Sequence, residues 1–309
     1  MGQLTAVIVC KNEQDNIVGC LESLRDVADE ILVADSGSTD DTLAIVSRLG
    51  GCRLIRGEWT GYAPFRNWAV SHVRHPWVLI VDADERVTPD LAAEIRKVLA
   101  RPQKGVDGYK VGFITYFMGH RLRFSNWNRP SIRLVRRERC RFEPKQVHER
   151  IVLEPSRVRR LRHKLLHYSI SDCDDFLNKY AIYTRLAAGE MWYRGRRAGF
   201  ASLLIRPLLR FVSLYVIRGG FLDGIPGLQV CMLMAFFNTF VKQARLWEFQ
   251  WARQPEGPNH LDDRSVLPYR VDAPDRRQPH YYGDLGARPT AQSMPSGDCG
   301  KTGRLPRQA

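Results

Sequence analysis

Short apolar runs alternate with amphipathic stretches through the first hundred residues. Leu4–Cys10 is almost wholly apolar, and 30–34, 52–56 and 77–81 are shorter runs of the same kind. Runs of this length without polar alternation predict strands buried on both faces. Between them, Ile17–Leu24 places Ile17, Val18, Leu21 and Leu24 on one helical face. Thr42–Leu49 opens a helix after a polar turn, and 65–73 reads as another. Thr88-Pro89-Asp90 joins an N-cap, a proline at the first helical position and an acidic first turn, so a further helix starts there. Strand and helix in alternation predict βαβ units, a parallel sheet and right-handed crossovers.

From about Tyr109 the pattern changes. Residues 108–115 and 131–135 read as strands and 172–193 as an amphipathic helix, with an arginine-rich stretch between them. Two apolar segments follow. Phe200–Ile217 is interrupted by Arg206, Pro207 and Arg210, which argues against a membrane span. Residues 225–241 lack formal charge over 17 positions, the lower limit for a span, but include Pro226, Gln229 and Asn238. A helix lying in the membrane interface, flanked by arginines, fits better. Residues 252–309 hold eight of the 17 prolines with little apolar periodicity, as a disordered tail does.

A chain of 309 residues, 44% hydrophobic, can bury one large core or two modest ones. Its net charge of +14 is unevenly spread. Residues 1–100 carry ten Lys/Arg against 15 Asp/Glu, whereas 101–210 carry 25 against nine. Such a basic segment seeks phosphates, whether on nucleic acid, an anionic membrane surface or a substrate. No helix-turn-helix, zinc-finger or RNP-type pattern occurs, so nucleic acid is not expected. Seven scattered cysteines without a CxxC pair suggest neither zinc nor a disulfide framework, and reduced thiols in a cytoplasmic compartment are expected. The N-terminus lacks the basic, apolar and cleavage regions of a signal peptide.

The candidate chemistry lies where strands end. Val78-Leu79-Ile80-Val81 runs straight into Asp82-Ala83-Asp84-Glu85, and open α/β sheets bind ligands at the carboxyl ends of their strands. Two carboxylates two apart can face one hard cation, whose shell phosphate oxygens complete. Lys11-Asn12-Glu13 follows the first strand and Asp35 the second. Three polar clusters at successive strand ends converge if the sheet is parallel. Arg129, Arg133, Arg136 and Arg137 form a dense charge run for a diphosphate, a phosphorylated acceptor or solvent. Arg133 and Arg136 face opposite ways on a strand but the same way on a helix. Trp59, Tyr62 and Trp127 suit sugar stacking or core packing.

Val7-Ile8-Val9-Cys10-Lys11-Asn12-Glu13, Ala34-Asp35-Ser36-Gly37-Ser38-Thr39-Asp40-Asp41-Thr42 and Asp82-Ala83-Asp84-Glu85 together resemble the family 2 glycosyltransferases. Within that family the chain looks most like the lipopolysaccharide-core β-1,4-glucosyltransferases, through Arg66-Asn67, Asp84-Glu85-Arg86-Val87, Val147-His148-Glu149-Arg150 and Gly220-Phe221-Leu222-Asp223-Gly224. The resemblance implies a GT-A type nucleotide-diphospho-sugar transferase fold, a Rossmann-like mixed sheet flanked by helices, with C-terminal amphipathic helices. Residues 1–105 would bind the nucleotide sugar and 106–198 the acceptor, while 199–250 would associate with membrane and 251–309 form the tail.

The implied activity is inverting, metal-dependent transfer of a sugar, glucose by subfamily, from a UDP-sugar to a lipid-linked saccharide. By the same resemblance, Asp35 takes the uracil imide, Glu13 the ribose or base edge, and Arg66 lies near base and phosphates, with Lys11, Arg133 and Arg136 as further substrate contacts. Asp84 would bind Mg²⁺ or Mn²⁺ directly, and Asp82 the ribose or the metal's water. His148 would be a third metal ligand or an ordinary histidine. Glu149 is the candidate general base, with an ion pair to Arg150 as its plainer role and Asp172, Asp174 and Asp175 as weaker candidates. The enzyme would sit peripherally on the cytoplasmic face of the inner membrane. The alternatives are a polyprenyl-phosphate glycosyltransferase and a non-enzymatic basic protein binding membrane or nucleic acid.

Overall fold

The computed structural model describes residues 3–124, 127–143 and 150–251, all within one unit, Met1–Pro255. The first part alternates as the apolar pattern predicts: β1 (Leu4–Cys10), α1 (Ile17–Leu24), β2 (Glu30–Asp35), α2 (Thr42–Leu49), β3 (Arg53–Arg56), α3 (Tyr62–Ser71) and β4 (Trp77–Asp82). Strand β1 pairs in parallel with both β2 and β4, and β2 with β3. Alternation along β1 divides two cores. Leu4, Ala6 and Ile8 pack with Ile17, Leu21 and Leu24, whereas Val7 packs on the other face with Phe65 and Val70.

Beyond β4 the sheet is mixed, so parallel pairing holds for only half of it. A short β5 (Glu85–Val87) leads to α4 (Pro89–Ala100), whose N-cap Thr88 accepts from the Leu91 amide at 3.2 Å. Then come β6 (Gly108–Phe117), β7 (His120–Leu122), β8 (Ser131–Arg136) and β9 (Val158–Ile170). The sheet order is β3-β2-β1-β4-β8-β6-β9-β5, with β7 beside β6. Strand β8 runs antiparallel between β4 and β6, so strands from before and after residue 105 share one sheet. Apolar periodicity alone does not predict the 13-residue β9. Leu161 and Leu165 face the core, but Arg159, Arg160, Arg162 and Lys164 surround them in sequence.

The C-terminal part is helical. Asp172 caps α5 (Cys173–Tyr193) by accepting from the Asp175 amide at 2.8 Å. Helix α6 (Phe200–Phe211) continues through π-helical Val212–Ile217. Left-handed Gly219 and a 3-10 turn, Gly220–Asp223, then lead to α7 (Gly224–Met232), π-helical Leu233–Thr239 and α8 (Phe240–Trp251). A Cβ on Gly227 would collide with the Gly220 carbonyl, so this turn folds back only because both residues are glycine. The Asp223 carboxylate accepts from the amides of Arg123 (2.9 Å) and Phe124 (3.0 Å), tying the turn to the end of β7. Leu214, Val230 and Cys231 pack with Phe117, Ile170 and Phe176 in a third core.

Candidate active site

Parallel pairing brings the acidic clusters together. Cys10 at the end of β1 lies opposite Asp35 on β2, and Val9 opposite Asp82 on β4, so three strand ends meet. The loops after β1 and β2 are sewn to each other. The Asn12 amide donates to Ser38 Oγ (2.9 Å), the Thr39 amide to Asn12 Oδ1 (2.8 Å) and the Glu13 amide to Thr42 Oγ1 (2.8 Å). Asn12 pivots there in the left-handed region at φ 55°. Asp35 is fully buried and accepts from the amides of Gly37 (2.9 Å) and Ser38 (3.1 Å) and from the Ser38 hydroxyl. Its carboxylate therefore shapes the loop. Lys11 is exposed at the rim.

Asp82 and Asp84 point into different surroundings. Asp82 accepts from Arg66 (2.6 Å) on α3 and from Arg133 (3.0 Å) on β8. Burial opposes its charge, but the two guanidiniums win and hold the carboxyl far below the usual range. Arg133 also donates to Glu85, whose second oxygen accepts from the Asp82 amide at 3.0 Å. Glu85 is pushed up to about 7 by burial, against the pull of Arg133. Glu13 also rises to about 7, through burial and the nearby Asp84 charge.

Asp84 Oδ2 faces His167 Nε2 at 3.4 Å and Lys179 Nζ at 3.6 Å. His167 reaches it because β5 pairs with β9 in a register that sets Glu85 opposite His167. Burial opposes the charge of Asp84, but His167 and Lys179 hold its carboxyl below the usual range. Asp84 Oδ1 is buried and has no hydrogen-bond partner among the described residues.

That oxygen bears on the metal. No group of three or more His, Cys, Asp or Glu is placed to hold an ion among the described residues. Mg²⁺ and similar ions need only one or two carboxylates when a diphosphate completes the shell. The free oxygen of Asp84 fits that demand, whereas both oxygens of Asp82 already serve arginines.

The other expected site residues are scattered. Arg136, at the far end of β8, lies 4.8 Å over the Trp77 ring and 3.7 Å from Asp107, away from Arg133. Asp172 and Asp175 are occupied at the start of α5, where Asp175 accepts from the Ser171 amide at 2.9 Å, and Asp174 is exposed. Trp59 stacks edge-on against Tyr62 at 4.8 Å, and Trp127 packs on the third core. His148 and Glu149 lie outside the described residues. Among the described residues, Asn67 exchanges two hydrogen bonds with the Phe142 backbone (2.9 and 3.1 Å), and Phe142 bridges to Ile151. His167 and Lys179 escape sequence reading, one inside a charge-masked strand and the other a single lysine on α5 outside any motif.

Residues 5–163 match the family described as "Glycosyl transferase family 2". The lipopolysaccharide core biosynthesis glycosyltransferase LpsC of Rhizobium meliloti (strain 1021) is 32% identical over 251 residues, covering 79% of this chain and 92% of its own. An uncharacterized glycosyltransferase of Rickettsia felis is 28% identical over 261 residues, covering 80% and 90%. Glucosyl-3-phosphoglycerate synthase from Mycobacterium tuberculosis, solved with Mn²⁺ and uridine-diphosphate-glucose, shares 17% identity at a TM-score of 0.44, over 62% of this chain and 78% of that one.

Proposed function

The chain belongs to glycosyl transferase family 2 and has its GT-A type mixed sheet flanked by helices, and on that premise we propose an inverting, metal-dependent hexosyltransferase that moves glucose from UDP-glucose to a lipid-linked saccharide such as the lipopolysaccharide core. The observation that carries this reading is the unpartnered, buried Asp84 Oδ1 among carboxylates gathered at three strand ends. Asp35 and the loop it shapes receive the uracil, Glu13 the ribose, and Lys11 and Arg66 the diphosphate side. Asp84, with Asp82 beside it, would hold Mg²⁺ or Mn²⁺, which when bound would supply positive charge against the diphosphate of the leaving UDP. Glu149 takes the acceptor hydroxyl's proton as its oxygen attacks the anomeric carbon opposite UDP, inverting that centre. The acceptor is lipid-linked, so the enzyme works peripherally at the cytoplasmic face of the inner membrane.

A screen of UDP-sugars for Mn²⁺-dependent hydrolysis by the purified enzyme, followed by transfer to isolated core acceptor, tests the proposal. Hydrolysis of one UDP-sugar well above the rest is expected, and hydrolysis of none overturns the reading. Glu149→Gln should abolish transfer and keep UDP binding. Unimpaired transfer would point instead to a phosphate acceptor, already an anion and in need of no base.

A further inference from the structure

The helices after residue 193 carry an apolar face that no described residue covers. Leu204, Leu209, Val212 and Val216 are exposed, with Ile217 and Ile225 exposed to 76% and 74%. Only 11% of Phe200–Ile217 and 22% of the most apolar stretch of Gly220–Trp251 is buried. So many exposed apolar residues on two consecutive helices differ from the singly scattered ones of an ordinary surface.

Charge identifies what covers it. Residues 191–250 hold eight Lys/Arg and two Asp/Glu, and one of those acids, Asp223, is occupied by two backbone amides. Arg206 is exposed, while Arg210 and Arg218 are half-buried. Burial and then repulsion from Arg218 pull the Arg210 guanidinium below its ordinary range. Arg218 Nη1 is buried without a hydrogen-bond partner among the described residues. The part of a guanidinium left open at such a surface takes a phosphate oxygen as its strongest partner.

A second copy of the chain is a poor occupant, because a two-fold contact would set this basic face against itself. A span is disfavoured too. Leu214, Val230 and Cys231, on the inner side of the same helices, close the third core against Phe117, Ile170 and Phe176. Moving the helices into the bilayer would open that core.

We propose that this face docks on a bilayer with anionic phosphate headgroups, its apolar stripe in the acyl boundary and Arg206, Arg210 and Arg218 against the phosphates. The inference deepens the lipid-linked acceptor reading but can fail separately from it. Helix α5 joins the two sites, since its Phe176 packs in the third core and its Lys179 reaches Asp84. Each Lys or Arg near an anionic surface strengthens partitioning roughly fivefold, and screening weakens that pull.

The test is flotation of the full chain with phosphatidylcholine vesicles, with and without about 30 mol% phosphatidylglycerol, a composition that sets the surface potential. Binding at least tenfold stronger to the anionic vesicles is expected, with release on adding about 0.5 M salt. Leu209→Glu together with Ile217→Glu should lose that binding more than tenfold while Mn²⁺-dependent UDP-sugar hydrolysis is unchanged. Both positions are exposed, and a melting curve checks that the variant folds. Equal binding to neutral vesicles, no vesicle binding, or a dimer that these substitutions dissociate would each overturn the proposal. So would a segment resisting both salt and alkaline extraction. Vesicle binding without hydrolysis would leave it standing and sink the catalytic reading instead.

Discussion

Asp82 and Asp84 stand two residues apart on one turn, yet their neighbours give them different work. Arg66 and Arg133 occupy both oxygens of Asp82, while Asp84 keeps one buried oxygen free. The cation demand therefore falls mainly on Asp84. Asp84→Asn keeps the shape and should weaken Mn²⁺-dependent UDP binding at least tenfold by calorimetry, since even outer partners of a metal cost that much. Unchanged affinity would remove Asp84 from the metal. Alanine is the poorer variant, because it removes the carboxylate that Lys179 and His167 both face and leaves a gap in a buried site. The carboxylates themselves are legible in the sequence, since a polar run after an apolar one marks a strand end. Arg66 and Arg133 are legible too as site residues, but their pairing with Asp82 is not, and His167 and Lys179 are missed, because the four arrive from separate elements.

At the scale of elements, α3 links the donor side to the segment that follows β8. Arg66 turns to Asp82, and the next residue, Asn67, pins the Phe142 backbone on the other side. Asn67→Ala removes both hydrogen bonds from a part-buried backbone and should cost about 1–3 kcal/mol. Donor binding should stay near wild type while transfer falls, because the substitution frees the Phe142 backbone, seven residues before Glu149 in sequence. An equal loss in UDP affinity would contradict that division. Element boundaries were readable wherever periodicity was clean, as in β1, α1 and α2. They were hidden in β9, where exposed arginines mask the alternation, and in β5, which exists only by pairing with β9.

For the whole molecule, the gathered carboxylates make stability depend on pH. Glu13 rises from an ordinary 4.5 to about 7 on folding. Between those values the folded chain keeps a proton that the unfolded chain has released, so stability falls as pH rises and then levels off. Glu85 and His167, both raised, act in the same direction. Thermal melts of the ligand-free protein should therefore drop from about pH 4.5 to about pH 7. Glu13→Gln should remove on the order of 3 kcal/mol of that fall in stability. A variant with the wild-type slope would show that Glu13 does not titrate in this window.

Local pattern was enough to establish the alternating first half, the acidic strand ends, the family motifs and the basic, apolar character of the later chain. Each of these depends on residues near one another in sequence, where periodicity and chain chemistry act directly. Tertiary structure alone decided which groups meet. Three positions on strand β8 separate Arg133, which joins the carboxylates, from Arg136, which joins Asp107, because successive side chains on a strand face opposite ways. Long-range register set His167 against Asp84, and packing chose which side of the C-terminal helices stays open. Those choices rest on pairings far apart in sequence, and local periodicity carries no record of them.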